Sequence, residues 1–145
     1  GHALFKGKPL AFDAPCSHED EVARLPSCGT VLASNAVSHV QAAAFRDGAR
    51  SFWGVQYHPE FELSTIAAII ALRASAQLEE GLVQSPEELD RLIADFHALS
   101  ADPARKDLAW RYGIGSDLLD PALRTREFDN WLASEVMPFA AKRAG

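Results

Sequence analysis

The sequence predicts an α/β fold in which short strands come first and helices follow. As far as Phe61, apolar residues form short runs bounded by turn-forming residues, whereas beyond Phe61 they recur every third or fourth position. Strands and helices also alternate too few times to build a complete doubly wound sheet. The chain is therefore expected to form the last part of an α/β domain, with strands in residues 1–61 and helices in residues 62–145.

Four apolar runs in the first part are predicted to be strands. Each is bounded by Pro, Gly, Ser, Asn or Asp, and they span residues 10–14, 30–33, 40–45 and 52–57. Between the last two runs, Asp47-Gly48 favours the positive backbone angle that a hairpin turn requires. Residues 46–50 are therefore predicted to be a hairpin loop, with the flanking strands antiparallel.

Helix-start and helix-stop signals divide the second part. One apolar stripe predicts a long helix capped by Ser64 or Thr65, and it consists of Leu63, Ile66, Ile70 and Ala74. Ser85 predicts a second start, because proline follows it and a glutamate stands three residues later. Further starts are expected at Asp102-Pro103 and Asp120-Pro121, and stops at Gly113 and Pro138. Three or four helices are thus predicted.

Composition excludes several classes of partner. The chain has 145 residues, 48% hydrophobic and 23% charged, as is typical of one soluble domain. Its net charge of −6 comes without any basic block, which argues against nucleic acid and anionic membranes. The longest apolar run, residues 66–72, is far shorter than the ~20 residues of a membrane span, and no signal pattern is visible. A cytoplasmic location is expected, where Cys16 and Cys28 would be reduced thiols rather than a disulfide.

The octapeptide Gly-Val-Gln-Tyr-His-Pro-Glu-Phe at residues 54–61 is the most informative segment. His58 should stand at the end of a strand, because Pro59 cannot donate to a β-ladder. Proline also keeps the preceding residue extended, so the carboxylate of Glu60 can reach the imidazole. Such a carboxylate fixes the imidazole tautomer and leaves the other nitrogen to take a proton from a nucleophile. The alternative is a surface contact worth less than about 1 kcal/mol.

The whole octapeptide resembles the histidine motif of class I glutamine amidotransferases, the family that includes the glutaminase domain of GMP synthase. Two other segments are similar to that family in order and spacing: Ser17-His18-Glu19-Asp20-Glu21-Val22 with Leu25-Pro26, and Ala33-Ser34-Asn35 with Val40-Gln41-Ala42. The resemblance covers residues 4–61, and further on only residues 127–132 resemble some stand-alone members. It implies that the chain is the C-terminal portion of a single flavodoxin-like domain.

The resemblance also implies a reaction. A cysteine thiolate would attack the side-chain amide of glutamine, His58 would transfer protons, Glu60 would orient His58, and ammonia would leave before the thioester is hydrolysed. Ser17, His18 and Glu19 match the segment that lies near bound glutamine. Glu19 replaces the family's usual glycine, which would narrow the pocket or alter the substrate. An equally weighted alternative is that these three residues form a polar turn.

Neither cysteine matches the family's Gly-x-Cys-x-Gly elbow at a strand-to-helix turn. Cys16 follows a predicted strand, and Cys28 leads into one. The nucleophile is therefore expected upstream, in the missing N-terminal half of the same domain, and this chain alone is expected to be inactive. The resemblance implies no cofactor. No zinc-binding spacing is present among the candidate ligands, which are Cys16, His18, Cys28, His39 and His58.

Three functions remain open on the sequence. The first is a stand-alone glutaminase that passes ammonia to a separate synthetase, because neither a Walker-type loop nor a Ser-Gly-Gly-x-Asp-Ser loop is present. The second is a γ-glutamyl hydrolase with the same triad and a larger substrate. The third is a non-catalytic binding or regulatory module that pairs with another chain through an exposed strand edge.

Overall fold

The computed structural model of the chain describes residues 1–48 and 50–144. They form two compact units, which we call unit 1 (Gly1–Pro59 and Thr125–Gly145) and unit 2 (Glu60–Arg124). Unit 1 contains the strands β1 (Gly29–Ala33), β2 (Ala42–Asp47) and β3 (Arg50–Val55). The helices are α1 (Leu63–Leu72), α2 (Ala74–Glu79), α3 (Pro86–Ala101), α4 (Lys106–Tyr112), α5 (Ser116–Leu119), α6 (Pro121–Arg124), α7 (Arg126–Trp131) and α8 (Met137–Ala144).

The three strands form an antiparallel sheet in the order β1-β2-β3. The β2–β3 register runs from Ala42 opposite Val55 to Asp47 opposite Arg50, which confirms the predicted hairpin. Gly48 has a φ of 57°, the left-handed conformation that the Asp-Gly pair predicted. Ala49 of the predicted loop lies outside the described residues. The predicted strands at residues 30–33, 40–45 and 52–57 correspond to β1, β2 and β3 with slightly shifted ends.

The strand predicted at residues 10–14 is wrong, because this segment has no strand hydrogen bonding. Pro9 and Pro15 flank it, and a proline nitrogen has no hydrogen to donate to a ladder. Phe12 instead packs edge-on against Tyr57, with 5.7 Å between ring centroids, while Leu10 is fully exposed. Of the apolar residues that suggested a strand, Phe12 thus contributes to an aromatic cluster.

The C-terminal segment packs in unit 1, where it contacts the first residues of the chain. Asn130 on α7 donates hydrogen bonds of 2.8 and 2.9 Å to the carbonyls of Leu4 and Lys6. Between α7 and α8 lies a π-helical turn, Leu132–Val136. The predicted stop at Pro138 is wrong, because Pro138 is the second residue of α8. Helix α8 begins directly after the π-helical turn, and proline is tolerated in the first turn of a helix.

Unit 2 is helical and has its own apolar core. Leu99 and Leu108 are 0% and 2% exposed and pack with Leu63 and Ala109. Ser85 accepts a 3.2 Å hydrogen bond from the backbone N–H of Glu88, which confirms the predicted start of α3. Two further predicted boundaries are confirmed: α4 ends just before Gly113, whose φ is 64°, and α6 begins at Pro121 after Asp120.

The long helix predicted after Phe61 differs from the structure in two ways. The single long helix is in fact α1 and α2, separated at Arg73, whose φ and ψ are −104° and 24°. No glycine or proline marks this break, so the apolar period alone predicted a continuous helix. The N-cap of α1 is Glu62 rather than Ser64 or Thr65, and the Ser64 hydroxyl donates to the Glu62 carboxylate at 2.5 Å.

The start expected at Asp102-Pro103 is delayed to Lys106. The Asp102 carboxylate accepts a 3.0 Å hydrogen bond from the backbone N–H of Ala104, and this local turn precedes the helix. With the short helices α5 and α6, the described residues contain more helices than the predicted three or four. No helix among the described residues is both long enough and apolar enough to cross a membrane.

Candidate active site

His58 lies three residues beyond the end of β3 in unit 1 and is half-buried. Its backbone N–H donates a 2.7 Å hydrogen bond to the carbonyl of Pro15. Two residues earlier, the backbone N–H of Gln56 donates to the carbonyl of Gln41 at 2.8 Å. The segment that carries His58 is thus fixed at two points, by the residue before Cys16 and by the residue before β2.

Glu60 is the first residue of unit 2 and is exposed. His58 belongs to unit 1. The pairing of the imidazole with this carboxylate therefore stays a prediction.

His18, one of the predicted substrate-binding residues, takes part in a hydrogen-bond network. Its Nδ1 lies 2.8 Å from the carbonyl oxygen of Asp20, so this nitrogen must carry the proton. Its Nε2 then accepts from the Gln41 amide nitrogen at 3.3 Å. The Asp20 carbonyl also accepts from the Gln56 side chain at 3.4 Å, so the segment around His18 is tied to the residue two before His58.

Ser17 and Glu19 are exposed on either side of His18. Their predicted role toward a substrate stays a prediction, as does the alternative that they form a polar turn. Gln41, which sequence reasoning did not single out as a site residue, is 5% exposed and makes the central contact of the network. The signal available was its place in a segment of the family resemblance.

Cys16 does not have the surroundings of an activated thiolate. Cys16 and Cys28 are both free thiols. The Cys16 sulfur lies 3.9 Å from the side-chain oxygen of Gln41, and partial burial of the thiol raises its pKa. A catalytic cysteine needs a lowered pKa, so this environment favours the inert protonated form. No group of three or more His, Cys, Asp or Glu among the described residues could hold a metal ion.

A buried charged cluster includes Tyr57, the residue that directly precedes the candidate histidine. The Lys8 ammonium is 2.6 Å from Oε1 of Glu127 on α7, and the two side chains are 2% and 3% exposed. The hydroxyl of Tyr57 donates to the same oxygen at 2.5 Å. The Lys8 ammonium also lies 4.1 Å from the centre of the Phe12 ring. We call Lys8, Tyr57 and Glu127 the buried clasp.

Electrostatics keep the hydroxyl of the buried clasp protonated. Burial, and then the hydrogen bond to the Glu127 carboxylate, raise the pKa of Tyr57 far above its ordinary value. Tyr57 therefore remains a hydrogen-bond donor at any physiological pH. Sequence reasoning missed this cluster, because 119 residues separate Lys8 from Glu127 and no local pattern pairs them.

Comparison with a family model shows the family to which the chain belongs. The model for class-I glutamine amidotransferases matches residues 1–73, just over half of the 145 residues. The chain belongs to the class-I glutamine amidotransferase family. The match contains β1, β2, β3 and the His58 motif, and it confirms both the family and the α/β fold class predicted from the sequence.

Curated relatives of this amidotransferase chain fall into two groups. The chain is 30% identical over 148 residues to a γ-glutamyl-L-1-hydroxyisopropylamide hydrolase of Pseudomonas sp, an alignment covering 100% of this chain and 49% of the relative. It is 40% identical over 67 residues to a glutamine-hydrolysing GMP synthase component of Methanococcus maripaludis, covering 46% of this chain and 34% of the relative. The chain thus spans about half the length or less of these relatives. No solved structure matches it.

Proposed function

We propose that the whole protein hydrolyses the amide bond of a γ-glutamyl compound, with His58 as its proton-transfer group. The observation that carries the proposal is the placement of His58 in a chain of this family. The residue follows a strand end, is half-buried, and has its backbone held by a 2.7 Å hydrogen bond. A proton-transfer group needs this combination of a fixed position and access to a reacting atom.

The proposed chemistry follows a two-step acyl transfer. A cysteine thiolate supplied outside residues 1–145 attacks the γ-carbonyl carbon, and His58 gives a proton to the departing amine. A water molecule, deprotonated by His58, then attacks the thioester and releases glutamate and the thiolate. Glu60 is proposed to orient the imidazole and stabilise its protonated form.

Two observations favour an N-substituted γ-glutamyl amide over glutamine as the substrate, one from the comparisons and one from the sequence. The hydrolase of Pseudomonas sp matches 100% of this chain, including the helices of unit 2, whereas the Methanococcus maripaludis protein matches 46%. Glu19 also replaces the glycine expected near bound glutamine, which changes the space available beside the substrate. If glutamine is nevertheless the substrate, the ammonia would pass to a separate synthetase.

The test is a substrate panel with the whole protein. Glutamine and γ-glutamyl amides of small amines would be supplied in parallel, and the released glutamate measured. We expect glutamate release to be faster from an N-substituted amide than from glutamine. Faster release from glutamine would favour the glutaminase that serves a synthetase, and release from no γ-glutamyl amide would leave a non-catalytic module as the better account.

A further inference from the structure

We infer that the buried clasp positions the His58 peptide, so that Glu127 on α7 is a positioning residue for the proposed reaction. The inference rests on the proposed function for its consequence in catalysis. It rests on the described contacts alone for its structural part. Both parts can be measured separately.

The clasp acts one peptide bond away from His58. Tyr57 is 4% exposed and donates to Glu127 at 2.5 Å, so its side chain is fixed from within unit 1. The backbone N–H of His58 is fixed by the carbonyl of Pro15 at 2.7 Å. Adjacent residues are therefore held by two unrelated parts of the chain, which restricts the backbone angles that set the direction of the imidazole.

The chemistry of the clasp favours a role in geometry over a role in stability. Burying a lysine and a glutamate costs several kcal/mol of desolvation for each ion, and apolar residues of the same volume are often as stabilising. Within the described part of the chain, Oε2 of Glu127 is buried and has no hydrogen-bond partner. Both contacts, from Lys8 and from Tyr57, are made to Oε1. Such a network favours one arrangement of Tyr57, because any other leaves its buried hydroxyl without this acceptor and removes one of the two donors to Oε1.

A matched control lies nearby. Glu135, in the π-helical turn after α7, also joins the C-terminal segment to the sheet, through Ser51 and through Arg46 at 3.3 Å. These side chains are at the surface, with Arg46 63% and Glu135 24% exposed. Arg46 and Ser51 lie opposite each other at the hairpin end of β2 and β3, whereas His58 follows the other end of β3. Glu135 thus shares residue type and segment with Glu127 but not proximity to His58.

The decisive variant is Lys8→Met with Glu127→Leu in the whole protein. It removes both buried charges at similar volume, so folding should be kept, and it deprives Tyr57 of its acceptor. We expect kcat to fall about tenfold or more with KM within about twofold, because misplacing a reacting group acts on the chemical step. Glu135→Gln should leave both within about twofold. A double variant with wild-type kcat would overturn the inference.

Amide hydrogen exchange separates this inference from the proposed function. In the double variant, the peptide that contains His58 should exchange at least about tenfold faster than in the wild type, while residues 42–47 keep their protection. If the wild type hydrolyses no γ-glutamyl amide, the proposed function fails and exchange alone decides the structural part. Unchanged protection at His58 would overturn that part, whatever the kinetics.

Discussion

The two units of the chain bury different kinds of side chain. The fully buried residues of unit 2 are apolar, as in Leu99 and Leu108, and its described ion pairs Arg105–Asp107 and Arg111–Asp95 lie at the surface. Unit 1 also has buried apolar residues, but in addition it buries Ser38, Gln41 and Glu127. Polar burial costs stability unless every partner is present. Gln41 and Glu127 accept hydrogen bonds from Gln56 and Tyr57, so two of the buried polar residues of unit 1 hold the segment just before His58.

The family match follows the same division. Residues 1–73 contain all the described strands and only α1 from unit 2. The polar network of Gln41 and His18 lies within residues 1–73. Glu127 lies outside that range and contacts Tyr57 within it. The match thus includes Lys8 and Tyr57, which Glu127 contacts, but not Glu127 itself.

The largest expected effect is on the stability of unit 1. Glu127→Ala would leave the Lys8 ammonium buried without its anion, which costs about 3–5 kcal/mol. Hydrogen exchange of β2 and β3 in the whole protein would measure the loss. Lys8→Met in the same background should recover most of it, and a single variant as stable as the wild type would contradict the proposed difference between the units.

A comparable loss of stability, caused by the loss of apolar packing alone, is expected in unit 2. Leu99→Ala would leave a cavity at a residue that is 0% exposed, at a cost of about 2–5 kcal/mol. Exchange of α1 and α3 should accelerate, with kcat at low temperature unchanged within about twofold. If kcat fell in a variant that remains folded, unit 2 would be more than a scaffold.

A smaller effect is expected at the start of α3. Ser85→Ala removes the side-chain acceptor for the N–H of Glu88 and should destabilise unit 2 by about 1 kcal/mol. Exchange of the first turn of α3 would report it, and Ser85→Asp, which keeps an acceptor, serves as the control. Equal losses for both variants would show that the cap does not matter.

The smallest effect is a pH dependence in unit 2. The hydrogen bond from Arg105 lowers the pKa of Asp107 from 3.8 to about 2. Because the folded pKa is depressed, any stabilisation is present above the ordinary pKa and is lost as the pH falls from about 4 to about 2. Asp107→Asn should lower the melting temperature slightly at neutral pH and not at pH 2. Since the pair is exposed, salt should reduce the difference.

The features of the fold that depend on neighbouring residues were predicted from the sequence. Asp47-Gly48 predicted the hairpin, and Ser85-Pro86 predicted the start of α3, because turn and cap energies depend on neighbouring residues. The position of His58 beyond a strand was also predicted, although β3 ends at Val55, before Pro59 could interrupt the ladder.

Three features of the structure could not be predicted from the sequence. Residues 10–14 had the composition of a strand, but Phe12 joined an aromatic cluster. Arg73 interrupts a helix without any glycine or proline as a marker. The ion pair of Lys8 with Glu127 depends on the contact between the two ends of unit 1. Apolar period and residue propensity carry no information about such partners.

The most direct test of the account is the effect of His58→Gln on kcat in the whole protein, with His97→Gln as the matched control. His97 is an exposed residue of α3 in unit 2, so its replacement should leave kcat unchanged. Loss of a proton-transfer group should lower kcat by about 10²–10⁴-fold without a matching change in KM. Wild-type turnover of a γ-glutamyl amide by His58→Gln would contradict the central claim.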